Sequence, residues 1–219
     1  MEPRVRSVGV VDKSVLVLRA LADGPRALSG LVAATGLARP TAHRLASALA
    51  DHGLVRRTDD GRFALGAELV VLGRAAAAGW PWGEAAGPAL TALVEATGES
   101  AQLYVREGQD TRRCLLSRDS AHELRTIVVE GARLPLELGS AGQVLRDPDG
   151  VGEGGWVASV EERAPGVASV SAPVRSADGG VLAAVGISGP VDRLGPTPGK
   201  RHGPAVVAAA SRIEAVLPS

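Results

Sequence analysis

The chain has 219 residues, with 24 lysines and arginines balancing 24 aspartates and glutamates, a length that allows two modest domains, each with its own core. Its single cysteine, Cys114, excludes a disulfide framework and a cysteine-rich metal site and fits a reducing compartment, and no apolar run reaches membrane-spanning length. The five aromatic residues (Phe63, Trp80, Trp82, Tyr104 and Trp156) are too few to stack exposed bases, which argues against single-stranded nucleic acid as a partner.

Val15, Leu18, Leu21 and Ala22 recur at three-to-four spacing after Asp12, which predicts a helix over 10–22 ended by Asp23-Gly24-Pro25. Leu28-Ser29 opens a second helix, with Ser29 as the cap of its free amides, Leu31 and Val32 as its buried face and Gly36 as a left-handed stop. A third helix begins near Pro40, because a first helical position leaves proline no N–H bond to lose. Leu45, Ala46 and Leu49 form its buried face; Thr41, Arg44 and Ser47 lie on the other, with His43 beside them, and Gly53 closes it. Strand candidates over 54–58 and 62–65 are joined by Asp59-Asp60-Gly61, a hairpin turn signal.

Helix, turn, helix and basic hairpin make a winged helix-turn-helix over 1–66. This part holds ten basic side chains against six acidic ones, so it carries +4 and the remainder −4. That asymmetry suits attraction to phosphates despite the zero total. Arg39, Thr41, His43, Arg44 and Ser47 cluster at the start and outer face of the third helix, where base edges and phosphates are met. Arginine can pair with guanine, and a threonine methyl can touch thymine. Ser29 at a helix start and Arg56, Arg57 and Arg62 on the wing are placed for phosphates, which position without specifying. The rival reading is a three-helix bundle that never meets DNA.

An alanine-rich helix over 67–78 follows, then a break at Gly79-Trp80-Pro81, taken as the domain boundary. A helix over 83–97 has Leu90, Leu93 and Val94 as its apolar face and Gly98 as its stop. From Glu99 the period becomes alternating: Ala101, Leu103 and Val105 face one way, and 113–117 returns antiparallel. Strands are also expected over 124–129, 156–160, 167–174 and 181–188, the last two joined around Asp178-Gly179-Gly180, and a final helix over 204–217. The fold class is therefore α+β, with an antiparallel sheet flanked by helices after the DNA-binding head.

Other motifs carry little. Gly150, Gly152 and Gly155 satisfy a dinucleotide-binding spacing, but Asp147-Pro148-Asp149 precedes them and strand-like residues follow, so a loop is expected. His43, His52, His122 and His202 have no metal-ligand spacing, no nucleophile elbow or phosphate loop occurs, and no cofactor is expected. Glu161 and Glu162 are adjacent and face opposite sides of a strand, so they read as solvated. Cys114 reads as a small core residue. Ser140 at a helix start, with Ser159, Ser169 and Ser188 near strand positions, reads on residues alone as packing and capping.

Three segments, LVAATGLARPTAHRLA, LPLELGSAGQVL and GVASVSAPVRSADGGVLAAVGISGP, together resemble the IclR family of bacterial transcription regulators. The likeness is greatest to the actinobacterial NdgR/AreB-type branch, which regulates amino-acid metabolism genes. It implies a cytoplasmic homodimer or dimer of dimers on double-stranded promoter DNA, with no enzymatic activity and no membrane partner. It implies linking and dimerisation helices over 67–97 and a GAF-like effector domain over 98–219. The effector is implied to lie against the helix-start amides of Ser140 and Ala141, with Ser159, Ser169 and Ser188 around it. A helix start favours an anionic group such as a carboxylate. Where several relatives place an acid and a cysteine, this chain has Ser159 and Ser169, and only RDPDGVGEGG stands where the family usually has further helices, so the pocket wall is shortened around 146–155. The expected function is regulation of amino-acid genes, for example for leucine, in response to a small effector. The alternatives are a constitutive regulator with a degenerate pocket, and a small-molecule binding domain whose N-terminal helices only mediate assembly.

Overall fold

The computed structural model describes residues 9–78 and 83–217. Residues 1–79 and 80–219 form separate compact units. The break expected at Gly79-Trp80-Pro81 lies outside the described residues.

The first unit runs α1 (Gly9–Ala20), α2 (Leu28–Thr35), α3 (Arg39–Asp51), β1 (Val55–Arg57), β2 (Phe63–Leu65) and α4 (Glu68–Ala78). Val17, Leu21, Leu31, Leu45, Ala46, Leu49, Val55 and Phe63 bury a common core. The hairpin pairs Val55 with Leu65 and Arg57 with Phe63, and Phe63 exchanges two 2.8 Å backbone hydrogen bonds with Arg26. That exchange ties the wing to the turn after α1, which satisfies edge groups a two-strand ribbon leaves open.

Three boundaries differ from the sequence expectation. α1 ends at Ala20, and Leu21 and Ala22 continue as a tighter turn whose amides reach Leu18 and Arg19. α2 is capped by Ala27 in an extended conformation with no side-chain bond, so Ser29 is not its cap; it stands exposed in the first turn. Leu28 is already helical, and Leu31 N–H bonds the Ala27 carbonyl at 3.0 Å. α3 starts at Arg39, with Pro40 inside its first turn. Gly36 takes the left-handed stop, with φ +67° and its N–H on the Val32 carbonyl.

Gly66 marks the tightest crossing of this unit. A Cβ there would stand 2.0 Å from the Gly53 carbonyl oxygen, a backbone atom that cannot swing aside. Gly66→Ala is expected to destabilise the unit by about 2–3 kcal/mol through overpacking. Hydrogen exchange would show it as faster exchange of α2 and α3 amides, with the second unit unchanged.

The second unit holds α5 (Gly83–Thr97), β3 (Ser100–Glu107), β4 (Thr111–Arg118), β5 (Arg133–Pro135), α6 (Ser140–Arg146), β6 (Val157–Val160), β7 (Val167–Arg175), β8 (Val181–Pro190), α7 (Val191–Leu194) and α8 (Pro198–Glu214). The six strands form one antiparallel sheet in the order β5-β4-β3-β8-β7-β6. Alternation separates its faces. Ala101, Leu103 and Val105 of β3, Ala168, Val170, Ala172 and Val174 of β7, and Ala183, Val185 and Ile187 of β8 meet α5 and α8. Those helices present Ala86, Ala89, Leu90 and Leu93, and Val206, Ala209, Ala210 and Ile213, each set on one helical stripe. The opposite face packs Tyr104, Cys114 and Ala184 against Ala141, Val144 and Leu145 of α6.

The expected strand over 124–129 is absent. These residues run through an irregular loop that exposes Leu124, Ile127 and Val129 and buries Val128. The edge of β4 that such a strand would pair with is taken by β5, through Thr111 to Arg113. The last helix begins at Pro198, six residues before the expected start; Pro204 lies inside it, where it forfeits a backbone bond.

Candidate nucleic-acid interface and ligand pocket

At 100° per residue, the buried Ala42, Leu45, Ala46 and Leu49 occupy one side of α3. Arg44 and Ser47 fall on the opposite side, with His43 and Arg39 along one flank and Thr41 at the other. Arg39, His43 and Arg44 are exposed; Thr41 and Ser47 are half-buried. His43 rests edge-on to Phe63, ring centres 6.4 Å apart. Arg39, Arg44 and Arg56 have no ion-pair or hydrogen-bond partner among the described residues. Three cations thus remain uncommitted on and beside this helix.

The other wing arginines are partly engaged. Arg57 lies over the Phe63 ring at 4.3 Å and donates to the Gly61 carbonyl at 3.1 Å. Arg62 pairs with Asp60 at 2.6 Å, and its hydrogen bond, with help from the Thr58 hydroxyl, holds the Asp60 carboxyl down at about 2. That pair keeps Arg62 charge-neutralised at neutral pH, so Arg56 is the wing cation most available to a phosphate. Ser29 stands exposed on α2 with its hydroxyl unused in capping.

The second unit has a cavity between the sheet and the start of α6. Register builds it. Ser169 pairs with Ser188, Ser171 and Gln102 both pair with Gly186, and all share the face turned to α6. Gly186 is required there, since a Cβ would meet the Ser171 hydroxyl at 2.3 Å. The lining includes Gln102, Tyr104, Arg112, Ser140, Ala141, Arg163, Ser169, Ser171 and Ser188, with about 280 Å³ of empty space counting its mouth. Only about 20 Å³ of it admits the centre of a water molecule. Four of the expected residues, Ser140, Ala141, Ser169 and Ser188, come together in this lining; Ser159, paired with Ser169 on β6, is buried but does not line the cavity.

The serines bond among themselves. Ser140 Oγ lies 2.8 Å from both Ser169 Oγ and Ser171 Oγ, and Ser188 donates to Gln102 Oε1 at 3.1 Å. Two amides at the helix start are engaged too. Ser140 N–H donates to Ser169 Oγ at 3.3 Å, and Gly139 N–H donates to Glu162 Oε2 at 3.2 Å. Glu162 also accepts from Gln143 at 2.7 and 2.9 Å, and Glu161, held at φ +59°, accepts from Gly166 N–H at 2.8 Å. Both carboxylates stand exposed to solvent, and Glu162 in addition ties its loop to the start of α6.

Arg112 is the main residue that the sequence reading missed. It is 2% exposed, with its guanidinium 5.2 Å from the Tyr104 ring centre and Nη1 donating to the Pro135 carbonyl. Gly142 makes room for it: a Cβ there would stand 2.6 Å from Nη1. Burial pushes its pKa down, opposed by Tyr104. The missed signal was parity. Arg112 and the buried Cys114 are two apart on β4, so a charge stands on a core-facing register. Gln102 and Ser171 were hidden the same way, as polar residues alternating with apolar ones in strands.

Chemistry of other kinds finds no support among the described residues. No group of His, Cys, Asp and Glu could hold a metal, and no helix is long and apolar enough to cross a membrane. Burial holds the Cys114 thiol up at about 12, which leaves it unreactive. The glycine-rich segment follows α6 and a 3-10 turn, Pro148–Gly150, and its Gly154 and Gly155 pack against Trp156 and Val207.

Residues 10–59 match the IclR helix-turn-helix domain, and residues 146–215 match the bacterial transcriptional regulator IclR C-terminal family. The glycerol operon regulatory protein of Streptomyces griseus is 30% identical over 236 residues, covering 87% of this chain and 88% of that protein. The protein of the same name from Streptomyces coelicolor is 29% identical, covering 86% and 87%. Among solved structures, an IclR homolog from Microbacterium hydrocarbonoxydans complexed with 4-hydroxybenzoate shares the fold, with a TM-score of 0.77 at 21% identity over 95% of this chain and 99% of that one. The IclR of Thermotoga maritima does so with a TM-score of 0.72 at 17% identity over 95% and 98%.

Proposed function

We propose that this chain, which belongs to the IclR family of bacterial DNA-binding transcriptional regulators and is not an enzyme, reads a two-fold symmetric promoter site as a homodimer or dimer of dimers in the cytoplasm. The observation that carries the reading is the outer face of α3, where Arg39 and Arg44 stand exposed and without a partner among the described residues. In this reading Thr41, His43, Arg44 and Ser47 meet base edges, while Ser29, Arg39, Arg56, Arg57 and Arg62 meet backbone phosphates. Residues 1–66 form the DNA head, 67–97 link and pair the subunits, and 98–219 hold the effector. The exposed Val70, Val71 and Leu72 of α4 support pairing with a second copy, since single monomers rarely leave such a cluster in water.

The target genes are proposed to be metabolic. The NdgR/AreB-type resemblance favours amino-acid genes, for example for leucine; the Streptomyces relatives, which regulate a glycerol operon, favour polyol use. The effector is a small molecule held by Ser140, Ala141, Ser169 and Ser188, in a pocket whose wall is shortened at 146–155. A regulator structure holding 4-hydroxybenzoate, itself a carboxylate, supports that class. An effector would act by binding two arrangements of the dimer with different affinity.

Fluorescence anisotropy with the chain's own promoter tests the reading. Contacts to roughly six phosphates would cost about a thousandfold in affinity between 50 and 200 mM salt. A flat salt response would favour the alternative in which the N-terminal helices only assemble the protein. DNA binding that no small molecule alters would favour a constitutive regulator.

A further inference from the structure

We infer that the cavity where the end of α5 meets the start of α8 binds a tetrahedral oxyanion, free phosphate or a phosphomonoester, with Arg201 and His202 as its principal contacts and His122 at its rim. The site is separate from the cavity beneath α6, and it goes beyond the effector reading without resting on it.

Three helices and two connections build the cavity. Thr97 ends α5, Glu99 lies in the turn before β3, His122 follows β4, Arg193 belongs to α7, and Arg201 and His202 belong to α8. None of the six lines the cavity beneath α6. About 190 Å³ admits the centre of a water molecule, against about 20 Å³ beneath α6, so an ion of five heavy atoms has room. The start of α8 is held in place, since a Cβ on Gly199 or Gly203 would run into the Trp156 ring.

The lining carries more positive charge than its acid balances. Glu99 is the one acid in it among the described residues, and Arg193 already clasps both of its oxygens at 2.7 and 2.8 Å. Arg201 is exposed, donates to the Arg193 carbonyl at 3.5 Å and pairs with no carboxylate among the described residues. Lys200, Arg201 and His202 follow one another at the start of α8, whose first turn holds no acid. Cations thus crowd the positive end of a 17-residue helix, and an anion beside them relieves the repulsion.

An unmet group lies in the same lining. His202 is 6% exposed, and its buried Nε2 has no partner among the described residues. Burial, and then Arg201, lower its pKa, opposed by Glu99. His122 Nε2 stands 3.4 Å from where a Cβ on Gly98 would be, which places it over the end of α5. Nitrogen donors therefore approach from α8 and from the connection after β4. A tetrahedral oxyanion offers oxygens in several directions, and it accepts charge-assisted bonds from guanidinium and imidazolium alike. No group of His, Cys, Asp and Glu among the described residues could hold a metal, so the two histidines serve an anion and not a cation.

The test titrates the full chain with sulfate, inorganic phosphate and methyl phosphate, with glycerol as the neutral control, and reads the imidazole ¹⁵N signals of its four histidines. His43, His52 and His122 are exposed, so a Gln variant of each assigns the His202 signal by elimination. All three anions are expected to shift that signal, and glycerol is not; tighter binding of methyl phosphate than of phosphate assigns the site to a phosphomonoester, and the reverse order to the free ion. Arg201→Met, at an exposed position, is expected to weaken the response about tenfold. Sulfate keeps its charge through the histidine range, and His202 shares the lining with Glu99, His122, Arg193 and Arg201. A bound anion favours the protonated imidazole, so sulfate should bind about tenfold more tightly near pH 5.5 than near pH 8. A His202 signal that no anion moves, one that glycerol moves equally, an undiminished response in Arg201→Met, or sulfate binding that is flat or weakens as pH falls would overturn the inference.

Discussion

Arg44→Ala is expected to weaken operator binding by about 10- to 100-fold, the equivalent of roughly 1–3 kcal/mol for one lost base contact. The side chain projects from the middle of the exposed face of α3, opposite Leu45, Ala46 and Leu49, and has no partner among the described residues. Its loss therefore leaves the core untouched, and the variant should melt with the parent. Anisotropy on the operator and on scrambled duplexes separates two ways of losing affinity. A base contact costs specificity, so the operator should suffer and the scrambled duplex much less. Arg56→Ala should weaken both alike, because a phosphate contact carries no sequence information. Equal losses for Arg44→Ala on both duplexes would move that residue from reading bases to gripping the backbone.

Arg193→Ala should produce the largest stability loss of any single change considered, about 3 kcal/mol in the second unit. Glu99 is 3% exposed, and Arg193 clasps its two carboxylate oxygens at 2.7 and 2.8 Å while also donating to the Leu124 carbonyl at 2.8 Å. Gly189 opens the space for that carboxylate, since a Cβ there would lie 2.2 Å from Oε2. Removing the arginine strands a negative charge inside the protein; removing the acid leaves a cation whose side chain is 30% exposed and can reach water. Urea unfolding of Glu99→Gln, Arg193→Ala and the double variant resolves the coupling. The double variant should recover part of the loss, and strict additivity would mean that the clasp contributes nothing specific.

Local chemistry explains which parts could be read from sequence. The DNA head was legible because each of its signals is local: a three-to-four apolar stripe, Gly36 in a left-handed turn, Asp59-Asp60-Gly61 between strands. Errors there were of a residue or two, as when Ala27 capped α2 instead of Ser29. In the second unit, the 124–129 segment has the β-branched run Ile127-Val128-Val129 of a strand, but a strand also needs an edge to pair with, and β5 takes the Thr111 to Arg113 part of the β4 edge. The pocket failed in the same way. Arg112 comes from β4, Gln102 from β3, Ser171 from β7 and Arg163 from a loop, and only the pairing of strands distant in sequence brings them to one lining. Small serines at strand positions were noticed; a lone arginine in Thr111-Arg112-Arg113-Cys114 reads as surface until its parity with Cys114 is considered. The GSAGQVL segment located the helix over the cavity, yet the amides of Gly139 and Ser140 are engaged by Glu162 and Ser169, neighbours contributed by later parts of the chain.

Hydroxyl-radical footprinting of the full chain on its own upstream region, at low salt, bears most directly on the α3 docking. Two protected half-sites related by two-fold symmetry are expected, centred about one helical turn or a multiple of it apart, and lost together in the Arg39→Ala/Arg44→Ala double variant. Unprotected DNA at low ionic strength, or a footprint that the double variant leaves intact, would contradict the claim that the outer face of α3 enters the groove.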